Sequence, residues 1–280
     1  MIDLHIHSSA SDGTFSPEEV YGKILESGVT FFSLTDHDTV AGIPEIYKVL
    51  DENKTTFIPG IEITVSRSKG ECHLLGYNID YNSVYLESMI NFVQAGREKR
   101  NKGIADLLNS KGMAVDYQEL MEKSGTATLG RPHFAAYLKN KGYVKSIQEA
   151  FDKYLAVGRP CYLENSGVEF NEAVNTVIKA GGIPVLAHPL SLYLSWGKLE
   201  EQLSKWKELG LKGIEVYHSS FRTRDSQRME EIADRLGFLK TGGSDYHGKT
   251  REERKLGFST GGNPVPSSIE EGFRSYLIQR

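Results

Sequence analysis

Residues 2–19 read IDLHIHSSASDGTFSPEE, and this stretch contains the unit from which the fold is built. Residues 2–7 are short, apolar and alternating, which predicts a β-strand. Ser16 suits a helix N-cap, Pro17 suits the first helical turn, and Glu19 completes a capping box, so a helix begins here. Gly28 suits the end of that helix. A strand followed at once by a helix is the repeating unit of α/β proteins.

The same unit recurs along the rest of the chain. Strands are predicted at 2–7, 29–35, 55–64, 71–77, 182–187, 213–218 and 238–243. Most of them are followed by helical periodicity, at 170–179, 199–209 and 223–236 and from Ser268 onward. Strands that alternate with helices usually pair in parallel, so the sequence predicts an α/β barrel or a doubly wound sheet.

The alternation stops in the middle of the chain. Residues 81–164 show helical spacing and no clear strand, with helices expected to begin at Pro132 and at Ser146. We therefore predict that residues 1–80 and 165–280 form the α/β domain. Residues 81–164 would be a helical insertion that covers the site and selects the substrate.

Composition limits the class of protein. The 280 residues include 39% hydrophobic and 25% charged residues, which is typical of a folded globular protein. The formal net charge of −4 argues against a protein that coats duplex DNA or binds membranes through a polybasic surface. Two cysteines give no disulfide framework, and there is no basic, apolar leader at the N-terminus. We expect a cytoplasmic enzyme with no membrane partner.

Histidines mark the ends of the predicted strands. His5 and His7 are two residues apart in one strand, so both rings face the same side. Asp245 and His247 repeat this spacing near the end of the chain. In a parallel barrel the carboxyl ends of the strands build the active site. Imidazole and carboxylate ligands without thiolates suit zinc, manganese or iron. Further candidates of this kind are Asp12, His37, Glu62, His73, His188 and His218.

These residues and their spacing resemble the PHP (polymerase and histidinol phosphatase) family of metal-dependent phosphoesterases, over nearly the whole chain. The resemblance implies a distorted seven-stranded (β/α)7 barrel that holds two to three divalent metal ions (Mn, Fe or Zn). It also implies three ligand sets: His5, His7, Glu62 and Asp245 for one metal; Glu62 as a bridge to a second metal with His73 and His188; and Asp12, His37 and His247 for a third.

Motifs in the insertion extend the likeness to one subgroup. They are Arg131-Pro132-His133, Gly142-Tyr143-Val144 and Gly158-Arg159-Pro160. The subgroup contains nucleotide-bisphosphate phosphatases and a 5′→3′ oligonucleotide exonuclease. We predict a hydrolase that removes a phosphate from a nucleotide, either a 3′,5′-bisphosphate or a mononucleotide, by attack of metal-bound hydroxide. The alternatives are a 5′→3′ exonuclease on short RNA or DNA, a histidinol-phosphate phosphatase, and a non-catalytic metal-binding regulatory module.

Charge supports a phosphorylated substrate. Six neutral imidazoles and three carboxylates carry about −3, so three divalent ions leave the site at about +3, which favours a concentrated anion. Arg131 and His133 flank Pro132 at a predicted helix start, which favours phosphate. We predict that Arg131, His133, Arg159 and His218 contact substrate and that Asp12 and His218 are catalytic.

The basic run from Arg97 to Lys102 has two interpretations. It is either a solvated helix face or a groove for a second phosphate or a nucleic-acid backbone. No obligate protein partner is inferred from the sequence.

Overall fold

The computed structural model describes residues 1–124, 129–164 and 167–279. These residues form a seven-stranded sheet whose strands follow one another in chain order. The strands are β1 (Ile2–Ile6), β2 (Phe31–Leu34), β3 (Thr56–Val65), β4 (Cys72–Tyr77), β5 (Ile183–Leu186), β6 (Gly213–His218) and β7 (Leu239–Gly243). Beyond β7, the amide of His7 donates to the carbonyl of Tyr246 at 2.9 Å. The sheet is thereby nearly closed, and the predicted distorted seven-stranded barrel is confirmed.

One strand departs from the predicted parallel pairing. β1, β2 and β3 are mutually parallel, as are β5, β6 and β7, but β4 is antiparallel to both β3 and β5. The expectation of parallel strands is therefore wrong for β4. The physical reason is chain length: only a short loop joins Val65 to Cys72, whereas a parallel crossover needs roughly a dozen residues or more.

Helices cover the outside of the barrel and form the central segment. Those next to the barrel are α1 (Pro17–Ser27), α2 (Gly42–Val49), α7 (Phe170–Lys179), α8 (Trp196–Glu208), α9 (Thr223–Leu236) and α10 (Ser268–Ile278). The central segment contains α3 (Val84–Ser110), α4 (Tyr117–Ser124), α5 (Arg131–Asn140) and α6 (Ile147–Ala150), which continues into a π-helical turn at Phe151–Leu155. In the described parts of the chain, none of these helices has the length and apolar character of a membrane span.

Helix α3 joins two separate apolar cores. Met89 and Val93, in its first half, pack into the barrel core. Ile104 and Leu108, in its second half, pack into a core formed by the central helices. The packing therefore changes within α3 and not at residue 81. Residue 165, where the barrel is predicted to resume, lies outside the described residues, and the predicted domain boundaries stay predictions.

The first helix starts as its sequence predicts. Ser16 Oγ accepts a hydrogen bond from the Glu19 amide at 3.2 Å, and the Glu19 carboxylate accepts one from the Ser16 amide at 2.8 Å. Gly28 ends the helix with φ at +74°, a conformation that glycine adopts without steric cost. The capping residues thus fix both ends of α1.

We expect Ser16→Ala to lower the free energy of unfolding by about 1 kcal/mol, because it leaves a helical amide without its acceptor. Urea unfolding measures this change. Ser267→Ala is the matched control, since Ser267 occupies the N-cap of α10 but makes no side-chain capping bond. Equal effects of the two substitutions would contradict the assigned role of the Ser16 side chain.

Candidate metal centre

The nine predicted metal ligands meet at one end of the barrel. His5 lies within β1 and His7 directly follows that strand, whereas Glu62 and His73 lie within β3 and β4. The other five lie on loops that follow strands. Each of the nine belongs to a group whose potential ligand atoms lie within 4.8 Å of one another: His5, His7, Asp12, His37, Glu62, His73, His188, Asp245 and His247.

The carboxylate of Glu62 lies at the centre of this cluster. Its Oε2 atom is 3.2 Å from Nε2 of His5, from Nε2 of His7 and from Nδ1 of His37. Its Oε1 atom is 3.0 Å from Nδ1 of His73 and 2.9 Å from Nε2 of His188. The two oxygens therefore face different histidines, which is the arrangement expected of a bridging carboxylate.

Two aspartates complete the cluster beside Glu62. Asp12 Oδ1 lies 3.2 Å from Nε2 of His247 and 3.7 Å from Nδ1 of His7. Asp245 Oδ1 lies 3.2 Å from Nε2 of His7 and 3.6 Å from Nε2 of His5. The groups of mutually close ligand atoms overlap with the three predicted ligand sets but do not coincide with them, and the assignment of residues to individual metals stays a prediction. The geometry also places His7 near the Asp12 set and His37 near Glu62.

Several ring nitrogens point into the cluster without a hydrogen bond. Nε2 of His5, both ring nitrogens of His7 and Nδ1 of His37 are buried and have no hydrogen-bond partner among the described residues. Buried polar atoms normally have one, because leaving them unpaired costs about 1–3 kcal/mol. Unpaired ring nitrogens that face shared carboxylates are the ligand arrangement that a divalent metal ion would satisfy.

Charge within the cluster fits the same interpretation. Burial alone would raise the pKa of the Glu62 carboxyl, yet the imidazoles of His37 and His5 hold that pKa well below its usual range. Burial would lower the pKa of His7, but Asp245 and Glu62 raise it to about 10. The carboxylates therefore favour positive charge at the position that they surround.

Glu215 is a part of the site that the sequence analysis missed. Its fully buried carboxylate lies 3.0 Å from Nδ1 of His5 and accepts a hydrogen bond from the His188 amide at 2.7 Å. Glu215 thus helps to position two candidate ligands, His5 and His188. The signal was a carboxylate between Ile214 and Val216 in a buried strand, where a charge needs a partner.

The cluster opens into a cleft of about 540 Å³ that is rich in arginine. Arg97 forms an ion pair with Asp38, and Arg254 forms one with Asp245. Both Arg97 and Arg100 line the cleft, whereas Lys99 and Lys102 are exposed to solvent. The lysines of this basic run therefore lie on a solvated face and its arginines line the cleft, whereas a groove for a second phosphate or a nucleic-acid backbone stays a prediction.

Two of the four predicted substrate contacts line the cleft and two do not. Arg131 lines the cleft, donates to the Leu163 carbonyl at 2.6 Å and lies 4.5 Å from the centre of the Tyr162 ring. His218 also lines the cleft, with Nε2 3.1 Å from Asp245. His133 accepts the Gly130 amide at Nδ1 and thereby caps α5. Arg159 is exposed and does not reach the cleft.

A cluster of imidazoles and carboxylates at the strand ends of an α/β barrel defines a metal-dependent hydrolase. The chain belongs to the PHP domain family, whose model matches residues 3–172.

Relatives cover nearly the whole chain. A 3′,5′-nucleoside bisphosphate phosphatase of Chromobacterium violaceum is 30% identical over 99% of this chain and 98% of its own. A 5′-3′ exoribonuclease of Haemophilus influenzae is 30% identical over 88% of this chain and 89% of its own. A solved metal-dependent phosphoesterase of Bifidobacterium adolescentis, described as putative, is 28% identical, with a TM-score of 0.85 over 100% and 98% of the two chains. This chain is therefore a metal-dependent phosphoesterase.

We expect Glu62→Gln to lose most of its bound metal, because a neutral amide is a poor bridge between cations. Elemental mass spectrometry of protein purified without chelator measures the metal content, and Asp12→Ala and His73→Ala should fall as well. Glu71→Gln is the matched control, since this exposed carboxylate lies at the cleft edge outside the cluster. Full metal content in Glu62→Gln would contradict the assignment of the centre.

Glu215→Gln should weaken metal binding about 10- to 100-fold, as is typical when a partner that orients a histidine ligand is altered. Titration of metal-stripped protein, followed by its thermal stability, measures this affinity. Glu230→Gln offers a comparison, because Glu230 binds Tyr217 and Lys240 and is not part of the cluster. Unchanged affinity in Glu215→Gln would show that its carboxylate does not support the ligands.

Proposed function

We propose that the protein hydrolyses a phosphomonoester of a nucleotide, with a 3′,5′-bisphosphate or a mononucleotide as substrate. The observation that carries the proposal is the position of the ligand cluster at the floor of an arginine-rich cleft. Arginine recognises phosphate through paired hydrogen bonds in a fixed planar geometry. The substrate phosphate would bind between the cluster and these arginines.

The arginines come from two parts of the chain. Arg97, Arg100 and Arg131 belong to the central helical segment, whereas Arg251 and Arg254 belong to the loop after β7. Gly130 and Pro132, at the start of α5, line the same cleft. The N-terminal end of a helix favours anions through its backbone amides. This distribution of arginines suits a nucleotide that carries one phosphate or two phosphates on its sugar.

The residues present supply a ligand set for the metal ions. The nine clustered imidazoles and carboxylates would hold two to three divalent ions of manganese, iron or zinc. Such ions, when bound, polarise phosphoryl oxygens and make water a better nucleophile at neutral pH. Asp12 would serve as a ligand, and His218 would donate a hydrogen bond to the leaving oxygen from its place beside Asp245.

Relatives support a nucleotide as the substrate class. The bisphosphate phosphatase of Chromobacterium violaceum aligns with almost all of this chain, including the insertion. This agreement extends to the region that contributes Arg97, Arg100 and Arg131 to the cleft. The nucleotide class therefore has support from both the geometry and the similarity.

A second candidate is exonucleolytic cleavage of short RNA or DNA from the 5′ end. The cleft adjoins another groove of about 490 Å³, and the two share Ser220, Arg251 and Arg254. Lys255 adds further positive charge in this second groove. Arg251, Arg254 and Lys255 outnumber the Glu253 carboxylate in this groove, and the remaining positive charge favours a chain with more than one phosphate. The relative from Haemophilus influenzae, named an exoribonuclease, supports this candidate.

Phosphate release from adenosine 3′,5′-bisphosphate, mononucleotides and 5′-phosphorylated oligonucleotides, with added Mn²⁺, tests both candidates. We expect Arg131→Ala to raise KM about 10-fold or more, since hydrogen bonds to a charged group contribute about 1.5–3 kcal/mol. Arg159→Ala is the matched control, because this exposed arginine does not reach the cleft.

The two candidates predict different substrate preferences. A phosphatase releases inorganic phosphate from the bisphosphate, whereas an exonuclease releases mononucleotides from the oligonucleotide. Release from no nucleotide in the panel by the metal-loaded protein would refute the proposal. Equal losses in Arg131→Ala and Arg159→Ala would refute the assigned role of Arg131.

A further inference from the structure

Backbone strain marks the site and one further residue. Among the described residues, five that are not glycine have a positive φ: Asp38, Asn78, His188, Tyr193 and Asp245. His188 and Asp245 are candidate metal ligands, and Asp38 is adjacent to His37. Asn78 is of a type that tolerates this conformation. Tyr193, with φ at +51°, is a bulky residue for which the conformation is costly and which the metal centre does not explain.

The Tyr193 side chain is held out of the core at the cleft. It lines the cleft that contains the metal centre, yet 82% of the residue is exposed. Leu192 before it is buried, and Leu194 after it packs against the barrel core. The chain is thus anchored on both sides of Tyr193. Nothing in the hydrophobic effect accounts for a large, exposed ring at this point.

The turn that carries Tyr193 is fixed to the metal centre. It begins at His188 as a short 3₁₀-helix, Pro189–Leu192, and the Tyr193 amide donates to the Leu190 carbonyl at 3.1 Å. Ser191 Oγ lies 2.9 Å from Nδ1 of His188 and donates to the Glu71 carbonyl at 2.8 Å. The hydrogen bonds of this turn therefore fix the backbone that carries the Tyr193 ring, and the same turn positions His188, a candidate ligand.

We infer that Tyr193 is the surface on which the nucleobase of the substrate stacks, an inference that rests on the proposed nucleotide function. An exposed aromatic face beside a phosphate-binding site suits the flat base of a nucleotide, and stacking accepts any base because every base has a π-face. The phosphate binds at the cluster while the base covers the ring. Tyr193 would thus favour substrates that carry a base over substrates without one, and it would do so without touching the reacting atoms.

Two probes separate base binding from phosphate binding. Adenosine 3′,5′-bisphosphate carries a base, and inorganic phosphate, used as a competitive inhibitor, does not. We expect Tyr193→Ala to lower kcat/KM for the bisphosphate about 5- to 150-fold, the range that corresponds to one stacked base. The inhibition constant of inorganic phosphate should stay unchanged. Tyr193→Phe should behave as the wild type, because it retains the ring.

Tyr85→Ala is the matched control. Tyr85 is also an exposed tyrosine, but it lies on α3 in a groove away from the metal centre. Metal content should be the same in all variants. A Tyr193→Ala protein with wild-type kcat/KM, or one in which phosphate inhibition weakens equally, would overturn the stacking role. A wild-type protein that hydrolyses no nucleotide would instead overturn the proposed function on which this role rests.

Discussion

A single buried carboxylate, that of Glu62, organises the end of the barrel. Imidazoles from five different positions in the sequence lie within 3.2 Å of its two oxygens. Burial of a charge is costly unless other groups compensate for it. The strands must therefore bring their ends to one point, and the sheet, which nearly closes between β7 and β1, is curved as this requires.

Much of this arrangement could be predicted from the sequence, because it depends on local rules. Alternation in residues 2–7 puts His5 and His7 on one face, and Ser16 with Glu19 fixes the start of α1. The prediction of a parallel β4 is wrong. The alternation of strands and helices favours parallel pairing, but the loop before β4 is too short for a parallel crossover. No role was predicted for Glu215, because it lies inside a buried strand. Its partners, His5 and His188, are remote in sequence.

The cleft was harder to predict than the ligand cluster. Arg97 and Arg100 lie on the side of α3 that faces the cleft, whereas Lys99 and Lys102 face the solvent. Only the packing of the helix shows which of its sides faces the cleft. The position of Arg159 illustrates the converse. It lies in a motif shared with the subgroup, yet the structure leaves it at the surface. Motifs identified the chemistry well, whereas substrate contacts depend on how the central helices pack.

Helix α3 has a consequence for how such enzymes can diversify. Its 27 residues extend for about 40 Å as one rod, with one apolar core at each end and Arg97 and Arg100 between them. The outer core can be remodelled, or exchanged for another small bundle, without opening the barrel. The rod itself cannot be removed, because its first half completes the barrel. Substitutions confined to the outer core would therefore change the packing of the central helices while the barrel core keeps its own.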